Sequence, residues 1–147
     1  MPLSYASETN LCQLIFQNAA FSAIGSGLPG ATSAGSFYIA LHLASPGGTG
    51  NQSTSEAQYT SYARVAIART SGAFTITGNN PAVVSNSAIV QFPQATGGSE
   101  TETYFSIGCA ATGAGQIFVY GSLTASLAVS NGIAPTFAIG QLTASCT

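Results

Sequence analysis

The spacing of apolar residues predicts one helix near the start of the chain. In the segment "SETNLCQLIFQNAA", residues 7–20, four apolar side chains recur at helical spacing: Leu11, Leu14, Ile15 and Ala19. Ser7 or Thr9 suits the N-cap, because a short hydroxyl side chain can accept a hydrogen bond from a free backbone N–H. Glu8 then lies near the positive end of the helix dipole. We therefore predict a single N-terminal helix within residues 7–21.

From Phe37 onward the apolar period changes to two, which predicts β-strands. The segment "FYIALHLA" places Phe37, Ile39, Leu41 and Leu43 on one face, and Tyr38, Ala40 and His42 on the other. Similar short segments follow: "YARVAIAR", "AFTITG", "SNSAIVQFP", "TYFSIGCA", "QIFVYGSL", "ASLAVS" and "PTFAIGQL". They are separated by turn-like strings such as "NNPA" and "NGIA". Together they predict an all-β fold of about eight short strands.

The spacing of these strands favours an antiparallel β-sandwich or jelly-roll-like domain over residues 37–147. A parallel α/β sheet is disfavoured, because no helices alternate with the strands. A membrane β-barrel is disfavoured by the short strands and by a start, "MPLSYASETN", that does not resemble a signal peptide. The Gly-, Ser- and Pro-rich segment 25–36 is interpreted as a loop. We therefore predict that residues 1–147 form a single domain.

Charged residues are unusually rare in this chain. They make up 4% of its residues, against about 25% in an ordinary domain. There are two arginines and four glutamates, with a net charge of −2, while 46% of the residues are hydrophobic. Interface cores are depleted in charge, so we expect much of the surface to contact other subunits, in a homo-oligomer with a trimer favoured. The alternative is a monomer covered in neutral polar side chains.

The same charge balance bears on other partners. Two arginines without a lysine cannot neutralise a run of phosphates, so we expect no nucleic-acid partner. A basic face for membrane-surface binding is missing, and the sequence has no long uninterrupted apolar block, so we expect no membrane partner.

Candidate catalytic and metal-binding residues are few. His42 is the only histidine, and inside a strand it is interpreted as a packed or surface residue. Glu100 and Glu102 lie two apart, so in a strand both would point to one face about 7 Å apart, as a carboxylate pair for glycoside hydrolysis could. Because they lie beside a loop, we expect them to be solvated instead. Aspartate is absent, and no phosphate-binding glycine motif occurs. We therefore predict no enzyme, no catalytic site, no metal and no cofactor.

The three cysteines, Cys12, Cys109 and Cys146, are far apart and lack the spacing of a metal site. Three reduced thiols are expected in a chain without a secretion signal. A Cys12–Cys146 disulfide is the alternative.

The string "FYIALHLASPGGTGNQSTSEAQYTSYARVAIART", residues 37–70, resembles a family of small structural proteins of tailed bacteriophages. Members of that family carry a strand ending in "ALH", a Pro-Gly loop, an "NQ-(S/T)-T-S-E" string and a "Y-x-x-YARVAV-R" string. The later strings "VSNSAIVQFPQATGGSETETYFSIG" and "LTASLAVSNGIAPTFAIGQL" resemble the following segments of the same family. The resemblance covers most of residues 37–142.

This resemblance implies a non-enzymatic virion protein that is assembled in the host cytoplasm. The favoured interpretation is a head decoration (cement) protein on the capsid surface, bridging subunits of the major capsid protein. The alternative is a tail or tail-fibre-associated module that binds the host; it is less favoured because fibre repeats and heptads are missing. The motif residues implied as interface or loop-fixing positions are Asn51, Gln52, Glu56, Tyr59, Tyr62, Arg64 and Arg69.

Three of the charged residues fall within 23 consecutive positions of the matching region, "GNQSTSEAQYTSYARVAIARTSG". A carboxylate beside a guanidinium forms a geometrically specific pair. We therefore predict that Glu56 pairs with Arg64 or Arg69, within one subunit or across an interface. The alternative is that the two arginines only keep a strand face soluble.

Overall fold

The computed structural model describes residues 4–21, 30, 33–78 and 81–146. Its described part contains one helix and nine strands, so the prediction of an all-β fold with one N-terminal helix is confirmed, although the helix begins at Tyr5 rather than within residues 7–21. The elements are α1 (Tyr5–Gln17), β1 (Ser36–His42), β2 (Val65–Ala68), β3 (Phe74–Thr77), β4 (Ala82–Asn86), β5 (Val90–Gln91), β6 (Ser99–Gly108), β7 (Ile117–Ser130), β8 (Thr136–Phe137) and β9 (Thr143–Cys146).

The chain divides into two compact units. Unit 1 comprises Met1–Gly35, Ala68–Val90 and Phe137–Thr147, and unit 2 comprises Ser36–Ile67 and Gln91–Thr136. Each unit is therefore assembled from segments that are distant in sequence. The prediction that residues 1–147 form one domain stays a prediction.

In unit 1, α1 buries Glu8, Cys12 and Phe16, and both of its ends are capped. The apolar residues from which the helix was predicted, Leu11, Leu14 and Ile15, are only partly buried. Ser4 is the N-cap rather than Ser7 or Thr9, and its hydroxyl accepts a hydrogen bond from the Ser7 N–H at 3.3 Å. Asn18 ends the helix in the left-handed region, with φ of 55°. Phe16 is buried and meets the Phe74 ring edge-on at 5.4 Å between centroids. No helix in the described ranges has the length and apolar character to cross a bilayer.

Unit 1 also contains a three-stranded antiparallel sheet in the order β3-β4-β9. The sequence interpretation placed a strand at "SNSAIVQFP", but β4 lies earlier and only Val90–Gln91 of that string forms β5, which pairs with β8. Asn86 explains where β4 ends. Its amide is buried and donates to the Ala88 and Ala138 carbonyls at 2.7 and 2.9 Å, while its Oδ1 accepts from the Leu142 N–H at 2.9 Å.

The cysteine expectation is wrong for Cys12. Cys12 is fully buried and disulfide-bonded, whereas Cys109 is exposed and has a free thiol. The absence of a recognisable secretion signal was the reason for expecting reduced thiols. That reason concerns only the cellular compartment and does not consider which cysteines the fold brings close together.

Unit 2 is built on a four-stranded sheet in the order β2-β1-β6-β7. Three residues of the predicted apolar face, Phe37, Ile39 and Leu41, are buried in β1, but Ala40 and His42 of the other face are buried as well. Leu43 was predicted on the apolar face and is 39% exposed, because β1 ends at His42. Two predicted strands, "QIFVYGSL" and "ASLAVS", form the single 14-residue strand β7 at the sheet edge. An irregularity in the β6–β7 pairing lies between Glu102 and Tyr104.

Candidate functional site

The predicted ion pair forms within unit 2, between Glu56 and Arg64. The Nε and Nη2 atoms of Arg64 donate to Oε1 and Oε2 of Glu56 at 2.6 and 2.7 Å, which is a two-point contact. The Arg64 side chain is 2% exposed and the Glu56 side chain 16% exposed. The prediction that Glu56 pairs with Arg64 or Arg69 is therefore confirmed for Arg64, and the pair closes within one chain.

Arg64 also fixes the loop that follows β6. Its Nη1 and Nη2 atoms donate to the backbone carbonyls of Ala110 and Gly113 at 2.9 and 2.7 Å. The hydrogen bond to Glu56 is the main cause that raises the pKa of Arg64. Four N–H···O contacts to one carboxylate and two carbonyls leave the guanidinium largely occupied. Arg64 therefore acts as a brace between the 43–62 loop and the 109–116 hairpin loop.

Tyr62 completes the ion-pair cluster. Its hydroxyl donates to Glu56 Oε1 at 3.1 Å and accepts from the Leu41 N–H of β1 at 3.1 Å. The ring stacks on Phe92 with an interplanar angle of 10°. Burial, as the largest cause, raises the pKa of Tyr62. The phenol therefore links the charged pair to the four-stranded sheet of unit 2 and stays protonated.

Gln52 fixes the other end of the same loop. It is fully buried, its Nε2 donates to the Tyr38 carbonyl at 2.9 Å, and its Oε1 accepts from the Ala110 N–H at 3.0 Å. A side chain at Gly108 or Gly115 would overlap the Gln52 side chain, so a larger residue at either position would displace Gln52 from its hydrogen bonds. Asn51, next to it, accepts a hydrogen bond from the Ser53 N–H at 2.9 Å and so shapes the turn.

Tyr59 anchors the middle of the loop. It is buried, its hydroxyl donates to the Pro93 carbonyl at 3.0 Å, and its ring meets Tyr62 edge-on. The N–H groups of Gln58 and Tyr59 both donate to Glu100 Oε1, at 2.9 and 2.8 Å. Burial and then the two nearby carboxylates raise the pKa of Tyr59 to about 12.

Glu102 is a residue of this region that the sequence analysis misjudged. We expected Glu100 and Glu102 to be solvated, but Glu102 is 0% exposed, and neither of its carboxylate oxygens has a hydrogen-bond donor. Burial, followed by the neighbouring Glu100, raises the pKa of Glu102 to about 8. Local sequence gave no signal for this burial, because Glu102 follows a Gly-Gly loop and the pairing of β6 with β7 is irregular between Glu102 and Tyr104.

Arg69 is separate from the residues above, because it belongs to unit 1. Its Nε and Nη2 atoms donate to the carbonyls of Ile15 and Leu14 at 2.7 and 2.9 Å, and its Nη1 donates to Ala34 at 3.2 Å. A cation at the carbonyl end of a helix is favourable. Of the seven residues singled out from the sequence, Arg69 is thus the helix-capping residue, and the other six lie in unit 2.

His42 is a structural residue, as the sequence analysis expected. It is fully buried, with Nδ1 2.9 Å from the Thr54 carbonyl and Nε2 2.8 Å from the Ser106 hydroxyl. Because a carbonyl can only accept, Nδ1 carries the proton and Nε2 accepts from Ser106. Burial is the main cause that lowers the pKa of His42, so the ring is neutral.

An open cleft of about 370 Å³ lies over the ion pair, lined by Ser53, Glu56, Ala57, Gln58, Tyr62, Ala63, Arg64, Ala111, Thr112 and Gly113. Its charges neutralise each other, and its remaining polar groups are neutral. The described residues contain no cluster of three or more side chains of the types that hold metal ions. The chemistry of this surface therefore suits contact with neutral polar or apolar groups.

No curated protein matches the chain. A protein-family model, described as podophage GP4 fiber I protein gp80, matches residues 2–145. The match covers both units, and it confirms the resemblance to virion structural proteins of tailed phages, with the tail-fibre label. The chain belongs to this podophage fiber I protein family.

Proposed function

We propose that this protein is a non-enzymatic structural component of the tail fibres of a phage virion. The family match over residues 2–145 is the observation that carries the proposal. The cluster around Arg64 and Glu56 supports it, because its charged groups are used to brace loops. A fibre component needs such fixed loops to present a constant surface to its neighbours or to the host.

Capsid decoration was the favoured interpretation of the sequence, and the family description supports the fibre alternative better. The argument for decoration was the absence of fibre repeats and heptads. A small module can belong to a fibre without repeats if it serves as a joint or a tip. Binding to the major capsid protein belongs to the decoration interpretation and is replaced here by binding to other fibre or tail subunits.

Self-association, with a trimer favoured, is part of the proposal. Strand β7 supports it, because its 14 residues lie at the edge of the unit 2 sheet. Exposed edges are usually protected by lysine, proline or short length, and Ile117–Ser130 contains no charged residue and no proline. Phe118 and Tyr120 are 47% and 41% exposed on this strand. Such an edge suits pairing with a neighbouring subunit.

Nucleic acid and membrane are not among the proposed partners. Both arginines donate their hydrogen bonds to groups of the same chain, so neither is available as a phosphate contact. Lysine is absent from the sequence.

The test is to locate the protein in purified virions by immunogold labelling with antibodies against the isolated chain. Gold particles at the tail fibres are the expected result. Gold distributed over the head would support decoration and overturn the fibre proposal. An antibody against the major capsid protein provides the control, because it must label the head in the same preparation.

The oligomer is tested separately, by sedimentation of the purified protein over a range of concentrations. A species of three chains is expected at high concentration. The mass of a single chain at every concentration would refute self-association of the isolated protein. It would leave the proposed location in the virion unaffected.

A further inference from the structure

The strongest unexplained feature of the molecule is the buried carboxyl group of Glu102. Taking an unpaired carboxylate out of water is costly, so such groups normally gain a partner or a proton. Neither oxygen of Glu102 has a donor, and the side chain is 0% exposed. A proton on Glu102 would let this carboxyl group donate a hydrogen bond to the neighbouring carboxylate of Glu100, which also raises the pKa of Glu102.

Glu100 connects this buried group to the loop. Its Oε1 accepts the N–H groups of Gln58 and Tyr59, at 2.9 and 2.8 Å. With a proton on Glu102, a chain of hydrogen bonds would run from Glu102 through Glu100 to the backbone of the turn. A charge-assisted bond from a carboxylate to backbone N–H groups is strong, so the position of Glu100 determines the position of the turn.

Among the described residues, the groups near Glu102 offer no alternative partner. On β6 itself the neighbour is Glu100, and from the loop it is the phenol of Tyr59, which is protonated below its pKa of about 12. On β7 the residues opposite Glu102 and Glu100 are Leu127 and Val129, which do not titrate. Arg64, the arginine of unit 2, bonds to Glu56 instead.

We propose that Glu100 and Glu102 form a proton-dependent latch that holds the Gln58–Tyr59 turn against β6. With one proton on the pair, Glu102 donates to Glu100, and Glu100 holds the turn. When that proton is lost to solvent, two carboxylates face each other in a buried site. Their repulsion and the demand of Glu102 for water then separate Glu100 from the turn.

The pH range follows from the protonation of Glu102. With a pKa of about 8, its ionised fraction rises roughly tenfold between about pH 7 and about pH 9. The latch is therefore closed in neutral and mildly acidic solution and opens in mildly alkaline solution.

The first experiment measures the proton directly, by ¹³C NMR of carboxyl-labelled glutamate over a pH titration of the whole protein. Glu102→Gln identifies the Glu102 signal, because that signal disappears in the variant. An inflection near pH 8 is expected. An inflection in the ordinary glutamate range, near about pH 4.3, would overturn the proposal.

The second experiment measures the turn, by hydrogen exchange of the peptide covering residues 56–62, corrected for the intrinsic effect of pH. In the natural protein, protection should fall by roughly tenfold between about pH 7 and about pH 9, in step with ionisation of Glu102. Glu102→Gln should remove this pH dependence, because its amide donates to Glu100 at every pH. Glu8→Gln is the matched control, since Glu8 is also buried but lies in α1, and it should leave the profile unchanged.

Two further results would overturn the latch. One is protection of the turn that does not change with pH in the natural protein, a measurement that needs no variant to fold. The other is recovery of protection by calcium at about pH 9, because the pair would then be a cation site, where hard oxygen ligands are preferred.

Discussion

Replacing Glu56 with glutamine tests whether the ion pair organises unit 2. The substitution keeps the size of the side chain but removes the negative charge that accepts from Arg64 Nε and Nη2 at 2.6 and 2.7 Å. Arg64 would then be a cation with a 2% exposed side chain and no anion beside it. Breaking a buried pair from one side costs about 3–5 kcal/mol of the free energy of unfolding. In a chain of this length that corresponds to a fall in Tm of roughly 6–20 °C.

The assay is chemical and thermal unfolding followed by circular dichroism, combined with hydrogen exchange of peptides covering residues 50–64 and 109–116. Exchange should accelerate in both peptides, because Arg64 also holds the Ala110 and Gly113 carbonyls. Glu8→Gln is again the control, since it removes a buried carboxylate of unit 1. It should leave exchange in both peptides unchanged.

A double-mutant cycle with Arg64→Met separates the pair from the individual side chains. The coupling free energy should be on the order of 2 kcal/mol, because each single variant already breaks the same contact. The loss should not depend on protein concentration, since the pair closes within one chain. A loss below about 1 kcal/mol, the range of solvated surface pairs, would refute the reasoning.

Three other perturbations probe the rest of the molecule. Burial lowers the pKa of His42 from 6.5 in the folded protein, so the contribution of His42 to stability is complete above about pH 6.5 and is lost as pH falls through the folded pKa. Thermal unfolding should therefore show a fall in Tm between about pH 7 and about pH 5. A Tm that does not change over this range would contradict the prediction. Gly108→Ala should lower the free energy of unfolding in urea by about 1–3 kcal/mol, because the added Cβ would overlap the Gln52 side chain. Gly72→Ala is the control, since the nearest atom to its added Cβ lies 3.9 Å away. Equal losses of stability in the two variants would contradict this explanation. Arg69→Ala should accelerate hydrogen exchange at the end of α1, because each hydrogen bond that it removes from the charged guanidinium contributes about 1.5–3 kcal/mol. Arg69→Lys should retain part of the protection. Unchanged exchange in both variants would contradict the capping role.

The sequence was sufficient for those features that depend on local pattern. The period of two located β1, and the proximity of Glu56 to Arg64 in the loop-and-strand string indicated their pairing. Strand β4 was missed because the preceding Pro81 and two asparagines are typical of a turn, while its pairing with β3 and β9 comes from distant parts of the chain. Tertiary pairing of this kind overrides local propensity.

The buried carboxylate of Glu102 was missed for a different reason. Charged residues after a Gly-Gly loop are usually solvated, and the interpretation followed that tendency. The strand in fact begins at Ser99, so both glutamates belong to its pleat. Two carboxylates on one strand face are predictable from alternation, but which face is covered is decided by the loop that carries Tyr59.

The few charges of this chain serve its interior rather than its surface. None of the six charged side chains is exposed: Glu8, Glu56, Arg64, Arg69, Glu100 and Glu102 are buried or partly buried. One pair braces two loops, Arg69 caps a helix, and Glu100 holds a turn. The described surface is therefore neutral, so contacts with neighbouring subunits depend on apolar area and backbone pairing rather than on ion pairs. Since screening acts on charges, attachment of the protein to a virion should persist in about 1 M salt and fail in mild denaturant. Release by salt alone, with retention in denaturant, would show that electrostatic contacts hold the protein and would contradict this account of its composition.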